Sequence, residues 1–223
     1  DSLNQALTSA GYKNLSEYRQ KMIKQIQYAN FLLDYIDDHF DDVFNDYYQQ
    51  CAPKYVSLIK ISVSDTSSPT DDETSKLNEV KELISNTDKS FGDIAQDYSN
   101  DSTSSKKGSL GIVDSKDTSG IANSYGKDVF NAIEALSEGQ VSDVITGDNG
   151  YYFVKVTSTD KKTLKKELKK TDIDSPLLAY DDYLQYVVYN SYKINYKDKD
   201  IKKIVQEVVN KALEERKTER GEA

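Results

Sequence analysis

One imidazole and one thiol, His39 and Cys51, are the whole stock of those two chemistries in this chain of 223 residues. A single histidine excludes zinc sites built from several histidines and a two-histidine iron site. A single cysteine excludes an intrachain disulfide. His39 lies within "DYIDDHFDD" and reads as a solvated helix residue; Cys51, beside Ala52-Pro53, reads as an inert, partly buried thiol. What remains is carboxylate, amine and phenol chemistry, supplied by 38 Asp and Glu, 29 Lys and Arg, and 17 Tyr. One stretch gathers all three types among small polar residues: "YSNDSTSSKKGSLG", from Tyr98 to Gly111. It reads either as a disordered linker or as a surface loop that must place one particular side chain, with glycines permitting a tight return.

The totals narrow the partners. A net charge of −9 opposes general binding to a phosphate backbone, so no nucleic-acid partner is expected. No run of 18 apolar residues offers a membrane span. Nothing near Asp1 reads as a signal peptide or a lipid-attachment cysteine.

The elements that must position any site follow from periodicity. Residues 14 to 50 read as helix, capped by Asn14 with Glu17 three residues on. Tyr18, Met22, Ile26, Ala29, Leu33, Ile36 and Phe40 form one apolar face, with a break near the acidic run and an end at Pro53. "KYVSLIKISVS" then alternates, Tyr55, Ile59, Ile61 and Val63 being the more apolar set, which predicts a half-buried strand. A short helix starting near Thr74 or Ser75 carries Leu77, Val80 and Ile84. Ser90 with Asp93 caps another, whose Phe91, Ile94, Ala95 and Tyr98 point inward. A third helix covers roughly 126–136, and Asp148-Asn149-Gly150 is a tight turn between two strands. Beyond Ser158, "KKTLKKELKK" (161–170) is a lysine-rich helix with a solvated face. Ser175-Pro176 starts a helix carrying Leu177, Tyr180, Leu184 and Val187. Ile201, Ile204, Val205, Val208 and Ala212 form a last apolar stripe. Neither helical flank buries its stripe alone, so the two are expected to pack on each other around a compact α/β unit of about one hundred residues. The boundaries expected are 1–53 and 158–223 for the helical domain and 54–157 for the insert.

Several segments of the insert carry a resemblance. "FGDIAQDYSNDSTSSKKGSLG", "ALSEGQVSDV" and "GYYFVKV" occur in the order of the parvulin-type peptidyl-prolyl isomerases, whose pattern is Phe-x-x-Leu-Ala-x-x-Tyr-Ser, Gly-Asp-Leu-Gly, Ala-Leu-x-x-Gly-x-Val-Ser-x-Pro-Val and Gly-Tyr-His-Ile-Ile-Lys-Val. Together they cover Val56 to Val156, and the whole chain resembles PrsA-type extracytoplasmic foldases of Gram-positive bacteria. The fold this implies is α+β: a parvulin-like domain, a small antiparallel sheet with surrounding helices, inserted into a discontinuous all-helical chaperone-like domain.

The resemblance also implies site residues. Asp101 occupies the place of the family's cleft Cys or Asp, seven residues before Gly108 and ten before Gly111. The register of the first family histidine reads Lys60, and that of the second, in Gly-Tyr-His, reads Tyr152. Lys60, Asp101 and Tyr152 would thus form a substitute cluster of cation, anion and hydroxyl, in which a Lys–Asp pair keeps Asp101 ionised. The proline pocket falls on Tyr125 and Val129 counting back from Leu136, or on Phe130 if one residue is deleted, together with Leu110 of Gly-Ser-Leu-Gly. Such an isomerase needs no cofactor and no metal.

The function implied is an extracytoplasmic folding factor that binds unfolded or proline-containing polypeptides, with prolyl isomerase activity reduced or lost because both histidines are absent. A fully active isomerase and a non-catalytic surface or adhesion protein are the alternatives. By the same resemblance the protein is a lipoprotein on the outer face of the cell membrane, touching it only through an anchor outside this chain, and a possible homodimer.

Overall fold

In a computed structural model, residues 2–86, 88–168, 175–180 and 182–219 are described. The chain opens with α1 (Ser2–Ser9), α2 (Leu15–Asp38) and α3 (Phe40–Cys51). It then runs through β1 (Lys54–Ser62), α4 (Asp71–Asn86), α5 (Phe91–Tyr98), a 3₁₀ turn (Ser102–Lys106) and β2 (Ser109–Val113). α6 (Ile121–Tyr125), α7 (Lys127–Ala135), β3 (Ile145–Gly147), β4 (Gly150–Ser158) and α8 (Lys161–Leu168) follow. α9 (Pro176–Ala179), α10 (Asp182–Ser191) and α11 (Lys199–Glu219) end it. The contacts divide the chain into two compact units: residues 47–168, and a discontinuous unit of 1–46 with 169–223. The division falls inside α3 and after α8, so 54–157 lies within the first of these units.

The 47–168 unit is organised by a four-stranded antiparallel sheet of order β2-β1-β4-β3. β1 is an interior strand, and the expectation of a half-buried one is corrected: Val56, Leu58, Ile59 and Ile61 are all fully buried. The reason is that helices cover both faces. On one, Val56 and Leu58 pack with Tyr152 and Val154 of β4 against Ile121, Val129 and Ile133 of α6 and α7. On the other, Ile59, Ile61 and Phe153 pack against Leu77 and Val80 of α4 and Phe91, Ile94 and Ala95 of α5. A strand buried on both sides reads as a continuous apolar run rather than an alternating one.

Local chemistry sets the helix ends. Ser90 Oγ accepts from the Asp93 amide, and Ser90 donates in turn to Asp93 Oδ2 at 2.7 Å. α4 begins at Asp71, a turn earlier than Thr74, because Thr70 and Glu73 hold its first turn through Thr70 N–H to Glu73 Oε2 at 2.7 Å and Glu73 N–H to Thr70 Oγ1 at 3.2 Å. The helix expected over 126–136 is α7, and a further short helix, α6, precedes it: Gly126, at φ 103°, ends α6 and starts α7. Lys54 Nζ donates to the carbonyls of Ile133, Glu134 and Leu136, capping α7 with a cation where the helix dipole is negative. The lysine-rich helix is described through Leu168; Lys169 and Lys170 lie outside the described residues.

The discontinuous unit is helical. Asn14 caps α2 by accepting from the Glu17 amide, and Ser175 caps α9 with Pro176 in its first turn. Its apolar faces differ from the expected ones. In α2, Leu32 and Ile36 are buried, whereas Ile26 is exposed along with Ile23 and Phe31. In α11, Ile201, Ile204 and Val208 face solvent, while Val205, Val209 and Leu213 are partly covered. The last turn of α11 delivers a buried cation: Arg216 pairs with buried Asp46 of α3, whose Oδ2 also accepts from the Tyr180 hydroxyl at 2.5 Å. The guanidinium of Arg216 lies over the Tyr186 ring, 4.7 Å from its centroid. Among the described residues no helix is long and apolar enough to cross a membrane.

Candidate functional site

The sheet sets two of the expected residues side by side. Lys60 of β1 is the register partner of Tyr152 of β4, so their side chains leave the same face of the sheet. The Lys60 ammonium lies over the Tyr152 ring, 5.7 Å from its centroid. Tyr152 itself is buried, and its hydroxyl donates to Asn149 Oδ1 at 2.8 Å, in the turn between β3 and β4.

The loop from Tyr98 to Gly111 is ordered. Asp101 caps its 3₁₀ turn, its Oδ1 accepting from the Thr103 amide at 2.9 Å and the Thr103 hydroxyl at 2.7 Å. A third donor reaches the same oxygen, the Tyr125 hydroxyl at 3.4 Å. The Tyr125 ring stands edge-on to Tyr152 at 6.2 Å and 80°, the arrangement favoured by aromatic quadrupoles. A continuous chain of contacts therefore runs Lys60, Tyr152, Tyr125, Asp101. The expected Lys60–Asp101 ion pair is absent among the described residues, which corrects that element of the cluster. The Lys60 amine is drawn to the face of a ring, and Asp101 spends its acceptor on a turn and a phenol.

The return of the loop depends on Gly108. Its φ is +75°, and a Cβ there would overlap the Leu58 carbonyl oxygen and meet Ala95 Cβ at 2.8 Å. Its own carbonyl accepts from the Leu58 amide at 2.8 Å, tying the loop to β1. Gly108→Ala is expected to cost the 47–168 unit about 2–4 kcal/mol, from a left-handed backbone plus overpacking against main chain. Urea unfolding checks this, with Gly111→Ala as comparison: Gly111 also has positive φ but open space at its Cβ, so its cost is about 1–2 kcal/mol.

An open cleft of about 430 Å³ lies beside the phenol chain, between the α6–α7 corner and the β3–β4 hairpin. Tyr125, Val129, Ile145 and Tyr152 line it, with Asp148 and Asn149 from the turn. Of the residues expected in a pocket, Tyr125 and Val129 thus border the hollow. Phe130 and Leu110 pack on the same core cluster and are not part of the cleft wall; neither Lys60 nor Asp101 lines it. Val129 is itself 1% exposed, so it forms floor rather than rim.

Two nested carboxylates hold the cleft wall from behind. Asp114 is fully buried and accepts from the Tyr47 hydroxyl at 2.7 Å, the Thr118 hydroxyl, and the amides of Lys116 and Thr118. Asp117 then accepts from the amides of Ile121 and Ala122, starting α6. Burial first, then the Asp114 charge, push the Tyr47 phenol far above its ordinary pKa. Sequence reasoning missed Asp114, Asp117 and Asn149, because each reads as a turn former; "VDSKDTSGI" nevertheless carries two aspartates at the spacing of consecutive caps.

Burial, then the Asp101 charge, then the hydrogen bond to Asp101 push the Tyr125 pKa up to about 12; burial and the charges of Asp101 and Asp148 raise that of Tyr152. A phenol whose folded pKa exceeds its unfolded value of about 10 contributes stability that is complete below pH ~10 and lost as pH rises through the folded value. Tyr125→Phe is therefore expected to remove one late-ionising phenol from an alkaline absorbance titration near 295 nm. It should also flatten the loss of stability between pH 10 and the folded Tyr125 value near 12. Loss of an early-ionising phenol instead would show that Asp101 does not face it.

Comparison with known proteins gives the following. Residues 58–158 match the family model of the PPIC-type PPIase (rotamase) domain. The Foldase protein PrsA of Staphylococcus epidermidis is 32% identical over 141 residues, which are 60% of this chain and 41% of that protein. The Foldase protein PrsA of Staphylococcus aureus (strain bovine RF122) is 32% identical over the same length, with the same coverage. The chain thus spans about two fifths of the length of the curated relatives it matches. The crystal structure of PrsA from Bacillus subtilis aligns with 90% of this chain and 76% of that one, at 22% identity and a TM-score of 0.43. The resemblance to PrsA-type foldases with a parvulin-type domain, read from the sequence, holds in the family-model match and the curated relatives.

Proposed function

We propose that the protein is an extracytoplasmic folding factor that binds unfolded or proline-containing polypeptides, and that its parvulin-type domain keeps a cradle for the prolyl ring while turning over slowly or not at all. The observation that carries this reading is the pairing of Lys60 with Tyr152 in the two registers where the resemblance implies imidazoles, in contact with each other and linked through Tyr125 to Asp101. A rotating imide needs an apolar slot that grips the ring and polar groups that follow its carbonyl as the bond twists. Val129, Ile145 and the two tyrosine rings supply the slot. The polar groups are already engaged: Tyr152 donates to Asn149, and Asp101 accepts from Thr103 and Tyr125. An uncatalysed X-Pro bond crosses a barrier of about 18–20 kcal/mol. Losing a preorganised polar group of this kind typically removes about 10²- to 10³-fold of rate.

The resemblance further supports a location outside the cell membrane, a lipid anchor beyond this chain, and pairing of two copies through the helical unit. The test is a protease-coupled proline isomerisation assay on the full chain, run beside an aggregation assay with an unfolded client. The expected result is kcat/KM at least about 100-fold below a parvulin that has both histidines, with aggregation still suppressed. Efficient turnover abolished by Asp101→Ala would replace this reading with that of a fully active isomerase. Neither turnover nor suppression would leave a non-catalytic surface protein.

A further inference from the structure

The turn between β3 and β4 is a two-residue connection, Asp148-Asn149, closed by the facing pair Gly147 and Gly150. Gly150 is fixed by its surroundings: a Cβ there would meet the Ile61 carbonyl oxygen at 2.5 Å. The fold thus requires a glycine directly after Asn149, and this makes the one Asn-Gly pair in the sequence. Other residues screen their own backbone nitrogen with a Cβ; glycine leaves it open. The Asn149 side chain is exposed and borders the cleft. Its Oδ1 accepts from the Tyr152 hydroxyl at 2.8 Å. A donor on that oxygen draws electron density from Cγ, and it stabilises the charge the oxygen gains when a nucleophile adds to the carbon.

We propose that Asn149 is a self-modifying site, converted through a cyclic imide to aspartate and isoaspartate with the Tyr152 hydroxyl assisting as donor. The Gly150 nitrogen loses its proton and bonds to Asn149 Cγ, an attack made intramolecular by the chain itself. The Cγ–Nδ2 bond breaks, and Nδ2 leaves as ammonia with that proton. Water then opens the ring. Cleavage between the Gly150 nitrogen and Cγ leaves aspartate; cleavage between that nitrogen and the Asn149 main-chain carbonyl carbon leaves isoaspartate. Nothing is oxidised or reduced. Burial and the charges of Asp101 and Asp148 raise the Tyr152 pKa, so the phenol stays a donor in the alkaline range where an amide proton is lost faster. Either product adds a carboxylate beside Asp148 at the cleft wall. Isoaspartate also lengthens the backbone within a turn whose length sets the pairing of Gly147 with Gly150.

The test incubates the full chain in mildly alkaline buffer, folded and in urea, and follows Asn149 by peptide mapping. Mapping reads the mass gain of the amide-to-acid exchange and resolves the isoaspartyl peptide. In the folded chain Asn149 is expected to convert before any other asparagine, including Asn123 of the same cleft wall. Tyr152→Phe should slow the folded conversion about threefold to tenfold, the worth of one neutral hydrogen bond, and should change nothing in urea. Tyr125→Phe removes a neighbouring phenol that faces Asp101 instead, and should leave the rate alone. That comparison separates lost assistance from a loosened cleft. An unmodified Asn149, a folded rate in Tyr152→Phe equal to the parent's, or the same slowing in Tyr125→Phe would overturn the proposal. The converted chain, isolated by anion exchange, is expected to bind a labelled Ala-Glu-Pro-Leu peptide about twofold to fivefold more weakly, as one exposed charge pair allows. This last effect rests on the proposed cradle for the prolyl ring; the conversion does not. If mapping shows conversion and the peptide binds neither form, the cradle falls and the self-modifying site stands.

Discussion

Asp114→Ala is expected to destabilise the 47–168 unit by about 3–5 kcal/mol, the cost of removing a buried charge from the groups that solvate it. The carboxylate is fully buried and is the point on which the Tyr47 hydroxyl, the Thr118 hydroxyl and two backbone amides converge. A methyl group takes the acceptor from all four and cannot itself hydrogen-bond. The loop it organises leads directly to α6 and Tyr125, so the loss should also appear as weakened peptide binding at the cleft. Asp114→Asn keeps one acceptor oxygen and should cost about half as much. Tyr47→Phe removes a single donor and should cost about 1–2 kcal/mol. Urea unfolding followed by tyrosine fluorescence gives all three values. A midpoint for Asp114→Ala within error of the parent would mean that the carboxylate is not what holds this loop.

The second large effect belongs to the helical unit. Arg216→Met removes the guanidinium from a carboxylate that is only 4% exposed, and is expected to cost about 3–5 kcal/mol of that unit's stability. The stacking on Tyr186 is lost with it. Because isolated helices gain most of their stability from packing, α11 should then exchange its amide hydrogens much faster while β1 and β4 keep their protection. Replacing both partners, Asp46→Leu with Arg216→Met, should recover much of the loss, since an apolar pair no longer carries the desolvation penalty. Unchanged exchange in α11 of the single variant would show that the pair does not anchor the helix.

The sequence was most informative where one residue type has one physical use. Asn14, Ser90 and Ser175 each read as a cap, and each accepts a backbone amide as a cap does. Asp148-Asn149-Gly150 read as a turn, and β3 and β4 meet there. Burial was harder, because periodicity states that a face is apolar without stating what covers it. Ile26 and Ile204 fit their stripes yet lie 60% and 61% exposed, and β1 is covered on both sides by helices distant in sequence. β2 was not legible, since Ser109-Leu110-Gly111 looks like loop until β1 lies alongside it. Within the site, the positions of Lys60 and Tyr152 came from the family resemblance, and the two side chains are in contact. The partner of Asp101 was not readable. That side chain had three donors to choose among, and Thr103, two residues away, competes with any long-range cation.

The helical unit draws on residues 1–46 and 169–223, which has a consequence for biogenesis. As a nascent chain leaves the ribosome or threads through a translocation channel, α1 and α2 emerge long before α11 exists to meet them. Everything between Tyr47 and Leu168 can by then have closed its own sheet. The last segment to arrive completes the scaffold that the first began, and Arg216, near the very end of α11, is the group that secures it to Asp46. Truncation by a few dozen residues at the carboxyl end would thus spare the cleft and undo the amino-terminal helices.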